Sequence, residues 1–314
     1  MNNTMKKRGS VWRCISPLLI YFVLQNAAGV IVMVRHLWQN GFFNMRDISS
    51  EELMNRILTS TFENINMLNF FTMIVGYVIL IPIFLYMHRR DLAGDQIYGV
   101  YREPAKVPVR LYGLLLAAGA ASCLAASNMI SMSGLIKNSE SYASAVEVLY
   151  SAGLVPELLA LGVLAPIGEE LLFRGLIYRR LKEFVPLISS MVWASLIFAL
   201  LHGNLVQGIY AFISGLLFCY VYERYGSVKA PILMHMFSNI TAVIASETGI
   251  LNFMYSGKIM FYAVTFICCL LVVAVIYLIE MYVRPLNEAE TENTELKERF
   301  PEKIRNKKTG RRVD

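Results

Sequence analysis

The chain has 314 residues, of which 56% are hydrophobic and only 17% charged, and its mean hydropathy is +0.50. A soluble domain of this size is about 45–50% apolar and about 25% charged, and a single soluble core cannot hide such an excess. The composition excludes an ordinary cytosolic enzyme, a disordered protein and a nucleic-acid-binding module. We predict an all-α, polytopic protein embedded in the lipid bilayer, with no nucleic-acid partner.

Eight apolar segments are predicted as transmembrane helices, since about 20 residues suffice to cross a bilayer. In chain order they cover about residues 15–34, 67–87, 111–130, 154–184, 187–201, 206–222, 231–245 and 259–283. The first resembles a signal peptide, but Arg35-His36 follows it without a convincing cleavage site, and many spans come after it. We therefore interpret it as a retained helix.

The predicted organisation has three parts. A cytoplasmic N-terminus covers residues 1–14, an eight-helix transmembrane domain covers 15–283, and a charged cytoplasmic tail covers 284–314. Lysine and arginine concentrate at both termini, in the loop 88–110 and after Arg174. An even number of spans places all of these regions on one side, which the positive-inside rule predicts to be cytoplasmic. We expect a multi-pass protein of the cell membrane with both termini in the cytoplasm.

Ionisable groups inside spans mark function or a structural ion pair, because each costs about 2.5–3.5 kcal/mol at a helix centre. The fourth span contains Glu169, Glu170 and Arg174. Glu170 and Arg174 are four residues apart, so they share a helix face and can pair. Glu169 is rotated from Glu170 by about 100° and is left free to face a cavity. The alternative is a salt-bridge network at a helix end near the cytoplasmic surface.

Two further motifs lie on the fifth and seventh spans. Phe198 precedes His202 by four residues, and His235 precedes Asn239 by four residues, so each pair shares a helix face. Taken alone, His202 would be a packed or interfacial residue, and the second pair a polar contact between helices. Together with Glu169, two imidazoles and an amide can activate a water molecule and hold an oxyanion.

These residues are also compatible with a metal site. Imidazole and carboxylate both suit zinc, so His202, His235 and Glu169 could ligate it. The HExxH motif of membrane zinc proteases is absent from the sequence. These residues therefore do not decide whether a zinc cofactor is used.

The three motifs, in this order, resemble those of the CPBP family of intramembrane proteases. That family includes the type II CAAX prenyl endopeptidases and bacterial Abi, or bacteriocin self-immunity, proteins. Its pattern of EExxxR, FxxxH and HxxxN reads here as Glu169-Glu170…Arg174, Phe198…His202 and His235…Asn239. The resemblance covers residues 150–245, which we expect to form the protease core.

The resemblance implies a CAAX-protease-like fold of eight helices with a cavity open to the cytoplasmic side. It also implies peptide-bond hydrolysis without a covalent enzyme intermediate. Family members are also described as metalloproteases, so zinc stays open here too. The implied roles are Glu169 as general base, His202 as its assistant, His235 and Asn239 at the oxyanion, and Glu170, Arg174 and Phe198 as support.

Three classes of function remain at this point. The leading hypothesis is an intramembrane endopeptidase acting on a membrane-associated or lipidated peptide or protein. The alternative is a non-catalytic bacteriocin-immunity or peptide-binding membrane protein on the same fold. A small transporter is the least favoured class, because the sequence has no evident inverted repeats.

Overall fold

The computed structural model describes residues 10–45, 48–97, 107–250 and 257–283. Within these ranges the chain is helical and contains no strand, so the all-α prediction is confirmed. The predicted tail 284–314 lies outside the described residues, as do residues 1–9 of the N-terminal segment and residues 98–106 of the basic loop.

Ten α-helices follow one another in the described ranges. They are α1 (Val11–Gln39), α2 (Ser50–Glu63), α3 (Ile65–Ile97), α4 (Val109–Ser133), α5 (Glu140–Leu149), α6 (Leu154–Leu181), α7 (Leu187–Leu200), α8 (Leu205–Tyr225), α9 (Lys229–Glu247) and α10 (Lys258–Tyr282). Each of the eight predicted spans coincides with one of these helices, because each is an apolar run between polar residues.

The predicted count of eight membrane crossings is not confirmed. By length and hydropathy, α1, α3, α4, α8 and α10 can each cross a membrane, and α5 with α6 adds a sixth span if the bent pair is counted as one. Helix α7 has 14 residues, about 21 Å, against a hydrocarbon core of about 30 Å. The protein is therefore a multi-pass membrane protein with five or six candidate spans among the described residues, and α7 is shorter than the thickness of the hydrocarbon core.

Helices α2 and α5 lie in segments that the sequence analysis left as polar connections. Each begins at a serine cap: the Ser49 hydroxyl accepts a hydrogen bond from Glu52 N at 3.2 Å, and the Ser139 hydroxyl accepts one from Tyr142 N at 3.3 Å. Such caps satisfy a backbone N–H that the first helical turn leaves unpaired. Both helices were missed because they are too polar or too short to register as spans.

Ion pairs gather several helix ends at one end of the bundle, which we call the basic face. The pairs are Arg13 with Asp91 and Glu183, Arg180 with Asp91, Arg179 with Asp95, Lys182 with Glu223, and Arg224 with Glu280. They join the start of α1 to the ends of α3, α6, α8 and α10. The Tyr225 hydroxyl adds the start of α4 by donating to Leu111 O at 2.8 Å. We call the opposite end of the bundle the far end.

Helix α4 packs closely against α9, which carries two predicted site residues. The contact depends on Gly119, because a Cβ added there would lie 2.3 Å from Met234 O and 3.1 Å from Ser238 N. Gly113, on the same helix, has no atom within 4 Å of such a Cβ. The two glycines therefore provide a matched pair for testing this helix contact.

We expect Gly119→Ala to lower the melting temperature of the detergent-purified protein. The alanine must push two backbones apart, and overpacking costs about 1–3 kcal/mol. Gly113→Ala should be neutral or stabilising, because alanine is more favourable than glycine in a helix interior by about 0.8–1 kcal/mol. Equal melting temperatures for the two variants would contradict the close approach of α4 and α9.

Candidate active site

The acidic pair lies between two π-helical stretches of α6, Leu158–Leu164 and Leu171–Tyr178, which flank the α-helical stretch Ala165–Glu170. In the first, Ala165 N donates to Ala160 O, five residues back. Wide turns of this kind are rare in proteins and occur frequently at functional sites. Each shifts the side chains that follow it away from the positions that a regular α-helix would give them.

Proline explains how α9 is held against the first wide turn. In the five-residue register, Leu161 O would be paired with residue 166, but Pro166 has no N–H to donate. Asn239 Nδ2 donates to Leu161 O instead, at 2.9 Å. One amide proton of Asn239 thus satisfies a backbone carbonyl, and the side chain also lines the cavity described below.

The pairing of Glu170 with Arg174 that the spacing predicts is present and fully buried. Arg174 Nη1 donates to Glu170 Oε1 at 2.9 Å, and both side chains are 0% exposed. Arg174 Nη2 donates to Gly215 O at 3.0 Å. The guanidinium lies over the rings of Phe198 and Phe218, at 4.8 and 5.2 Å from their centroids, where the ring faces attract a cation.

Glu170 also fixes the orientation of His235. The Nδ1–H of His235 donates to Glu170 Oε1 at 2.9 Å, because a carboxylate can only accept. The imidazole is stacked on Phe218, with ring centroids 4.7 Å apart and 25° between the planes. These two contacts leave Nε2 directed towards Glu169, whose Oε2 lies 3.8 Å away.

Glu169 differs from Glu170 in its exposure. Its side chain is 20% exposed, and its Oε1 accepts a hydrogen bond from the Tyr77 hydroxyl on α3 at 2.7 Å. One carboxylate oxygen is therefore held in place, while the other faces the cavity and His235. The two adjacent carboxylates therefore differ in environment: Glu170 is buried against Arg174, and Glu169 is partly exposed.

His202 lies immediately beyond the end of α7. Its Nδ1–H donates to Phe198 O at 2.9 Å, since a carbonyl can only accept, and Nε2 is left for other partners. The Phe198 ring meets His202 edge-on at 4.8 Å and His235 at 6.0 Å between centroids. Phe198 thus packs against both imidazoles and the arginine.

All four predicted catalytic residues line one cavity of about 340 Å³. Glu169, His202, His235 and Asn239 reach it from α6, the end of α7, and α9, with Phe198 and Phe218 beside them. Glu170 and Arg174 do not line this cavity and lie behind it. The structure thus brings together the residues that the three motifs single out.

The donors at this site do not assemble as a zinc site. Among the described residues, no three His, Cys, Asp or Glu side chains lie close enough together to hold a metal ion. Glu169 Oε2 and His235 Nε2 face each other, while His202 donates Nδ1–H to Phe198 O and keeps Nε2 for other partners. In this arrangement the three residues that the sequence left open as zinc ligands do not form a three-ligand set.

Tyr77 and Phe218 are site residues that the sequence analysis missed. A buried tyrosine hydroxyl usually needs a hydrogen-bond partner, so a tyrosine in the middle of the second span was an available signal. A Cβ on Gly168 would lie 2.4 Å from the Tyr77 ring. The glycine before the acidic pair therefore lets α3 approach Glu169.

Comparison with known proteins bears on this arrangement. A family model described as type II CAAX prenyl endopeptidase Rce1-like matches residues 151–241, which include all three motifs. This segment of the chain is thus similar to the type II CAAX endopeptidases of the CPBP family. The matched segment covers α6, α7, α8 and most of α9, and Tyr77 lies outside it.

One curated relative is "Putative membrane peptidase YdiL" of Bacillus subtilis (strain 168). It is 25% identical to this chain over 121 residues, which are 38% of this chain and 49% of the relative. The aligned part thus spans about half the length of that relative. No solved structure is significantly similar to the chain.

We expect Tyr77→Phe to lower the rate of a reaction in which Glu169 acts as a base about tenfold or more, because a hydrogen bond to a charged group contributes about 1.5–3 kcal/mol. The variant keeps the ring that packs on Gly168 and loses only the donor to Glu169. Tyr86→Phe is the matched control, since Tyr86 lies on the same helix and is exposed. Equal rates for both variants and the unmodified protein would show that Tyr77 does not position Glu169.

Proposed function

We propose that this protein is an intramembrane endopeptidase of the CPBP family. It hydrolyses a peptide bond in a membrane-associated protein or peptide, with water activated by Glu169. The observation that carries the proposal is the 3.8 Å separation between Glu169 Oε2 and His235 Nε2. The other carboxylate oxygen of Glu169, Oε1, is held by the Tyr77 hydroxyl, and Nδ1 of His235 is held by Glu170.

A water molecule fits the chemistry of this gap. In the neutral imidazole of His235, Nδ1 carries the proton, so Nε2 is an acceptor. Two acceptors separated by more than hydrogen-bond distance are joined well by a molecule that donates to both. A water held in this way has its lone pairs free for a substrate carbonyl. Glu169 then accepts a proton from the water as it attacks.

The remaining groups suit the later steps. Asn239 uses one amide proton on Leu161 O and has a second for the oxyanion that forms on the substrate. His202 lines the same cavity, and we assign it to carrying the proton that Glu169 took from the water to the leaving nitrogen, which returns Glu169 to the carboxylate. The oxyanion collapses, the C–N bond breaks, and the nitrogen leaves as an amine. No covalent bond between substrate and protein forms in these steps.

The proposed function is supported by the family match and by the peptidase name of the relative. The experiment that tests it is a cleavage assay on the full chain in lipid nanodiscs, with a fluorogenic peptide library supplied in unlipidated and prenylated forms. We expect cleavage without formation of a hydroxamate when hydroxylamine is added, because no acyl-enzyme forms. Absence of cleavage of every peptide would argue against the proposal, and loss of activity with a chelator would favour the metal alternative.

A further inference from the structure

We propose that the substrate reaches this site from the far end of the bundle, which is the extracytoplasmic side of the membrane. The substrate class is then an unlipidated polypeptide segment at the outer membrane surface. This inference rests on the proposed function and adds the direction of entry and the class of substrate. It differs from the cytoplasmic opening that the family resemblance implies.

Most of the wall of the cavity is built from the far halves of its helices, although on α8 the lining continues to Phe218. On α4, which starts at the basic face, the lining residues fall between 122 and 127, and the helix ends at Ser133. On α8, which ends at the basic face, they include Gln207 and Tyr210, close to its start. On α9 the lining extends from His235 to Val243, away from its start beside the basic face.

The side of the cavity nearest the basic face is closed by packed side chains. All eight residues of Leu171–Tyr178 are buried, and they follow Glu169 on the way to the basic face. Arg174 fills the space between Phe198 and Phe218, and Tyr178 packs edge-on against Tyr222. A peptide cannot pass this layer without unpacking it.

Helix α5 crosses the far end of the cavity. It is bent by 104° from α6, so it runs across the bundle rather than along it. Tyr142, Val146 and Leu149 of α5 line the cavity, so this helix forms its roof. The connection is held by Glu157, whose Oε1 accepts from Ala152 N at 3.0 Å and from Gly153 N at 2.9 Å.

Charge assigns the two ends to opposite sides of the membrane. Lysine and arginine cluster at the basic face, and such residues are retained on the cytoplasmic side. Among the described residues the far end has four lysines and arginines (Arg35, Arg56, Lys137 and Lys258), against nine at the basic face. The far end, with its roof, therefore faces the outside of the cell.

The polar lining indicates the class of ligand. Near the roof the cavity is lined by the hydroxyls of Tyr142, Tyr150, Tyr210 and Ser127, with Ser238 deeper. Tyr210 already bonds Tyr142 and Ser127 within this lining, and an isoprenoid chain would add no hydrogen bond to any of these oxygens. A peptide backbone supplies a donor and an acceptor at nearly every residue. The lining therefore favours a peptide segment over a prenyl group.

Thiol labelling tests the direction of entry. In a full chain whose five native cysteines are replaced, single cysteines are introduced as Ser127→Cys in the cavity, Lys137→Cys beyond α4 and Arg90→Cys at the basic face. A charged, membrane-impermeant thiosulfonate is added to spheroplasts and to inverted vesicles. We expect the first two variants to be labelled in spheroplasts and the third only in inverted vesicles. Labelling of Ser127→Cys only together with Arg90→Cys, or from neither side, would overturn the proposal.

A cleavage assay on the native full chain separates this inference from the proposed function. The unlipidated fluorogenic library is added outside spheroplasts or outside inverted vesicles. Cleavage in spheroplasts that is lost in Glu169→Gln is the expected result. Cleavage only in inverted vesicles would overturn extracytoplasmic entry and leave the peptidase intact. No cleavage in either preparation would count against the peptidase and against the substrate class, while the labelling result would still decide the direction of the opening.

Discussion

Replacing Glu169 by glutamine is expected to reduce peptide cleavage by about 10²–10⁴-fold, the range that a positioned general base contributes. Glutamine keeps the shape of the side chain, and its carbonyl oxygen can still accept from the Tyr77 hydroxyl. It cannot take a proton from the water held opposite His235. The rate of cleavage in nanodiscs measures the effect, and an unchanged melting temperature shows that the fold is kept.

The control for this variant is Glu247→Gln, since Glu247 lies exposed at the end of α9 and outside the cavity lining. It should cleave at the unmodified rate. Full activity in Glu169→Gln would end the proposed mechanism. If Glu169→Gln conferred immunity as the unmodified protein does, while neither cleaved any peptide, the non-catalytic alternative would be favoured.

Replacing Arg174 by methionine is expected to destabilise the protein by about 3–5 kcal/mol, because it leaves Glu170 as an uncompensated buried charge. Both side chains of the pair are 0% exposed, so water cannot replace the lost partner. The loss also frees Gly215 O, which Arg174 bonds across to α8. Unfolding of the detergent-solubilised protein by heat or denaturant gives the measurement.

Two comparisons sharpen this result. The double variant Glu170→Gln with Arg174→Met should recover part of the loss, because it removes both charges. Arg56→Met breaks an ion pair of the same spacing on α2, where Arg56 and Glu52 are 53% and 50% exposed, and should cost only about 0.3–0.5 kcal/mol. Similar losses for Arg174→Met and Arg56→Met would show that burial does not govern the strength of the inner pair.

Hydropathy and spacing predicted much of this architecture. Long apolar runs located the eight helices, because burial in lipid demands them, and the four-residue spacing predicted the contact of Glu170 with Arg174. The three motifs also identified side chains that line one cavity. Their catalytic roles stay predictions, to be tested by the variants above.

Other features depend on information that a single sequence does not expose. Tyr77 meets Glu169 across 92 positions of chain, and no local pattern connects them. The wide turns of α6 depend on which carbonyl each N–H selects. Pro166 has no N–H in either register, so it leaves Gly162 O unpaired in a four-residue register and Leu161 O unpaired in a five-residue one. The metal alternative could not be decided from residue types, because ligation depends on distances between side chains.

The wide turns also determine how α6 tolerates changes in length. A π-helical turn bonds across one residue more than an α-helical turn, so deleting one residue between 158 and 164 would restore the ordinary register. The five-residue bonds would become four-residue bonds between the same carbonyl and N–H groups, so the parts of α6 on either side would keep their orientation. A one-residue change in length at this point can therefore be absorbed without moving the roof helix relative to Glu169.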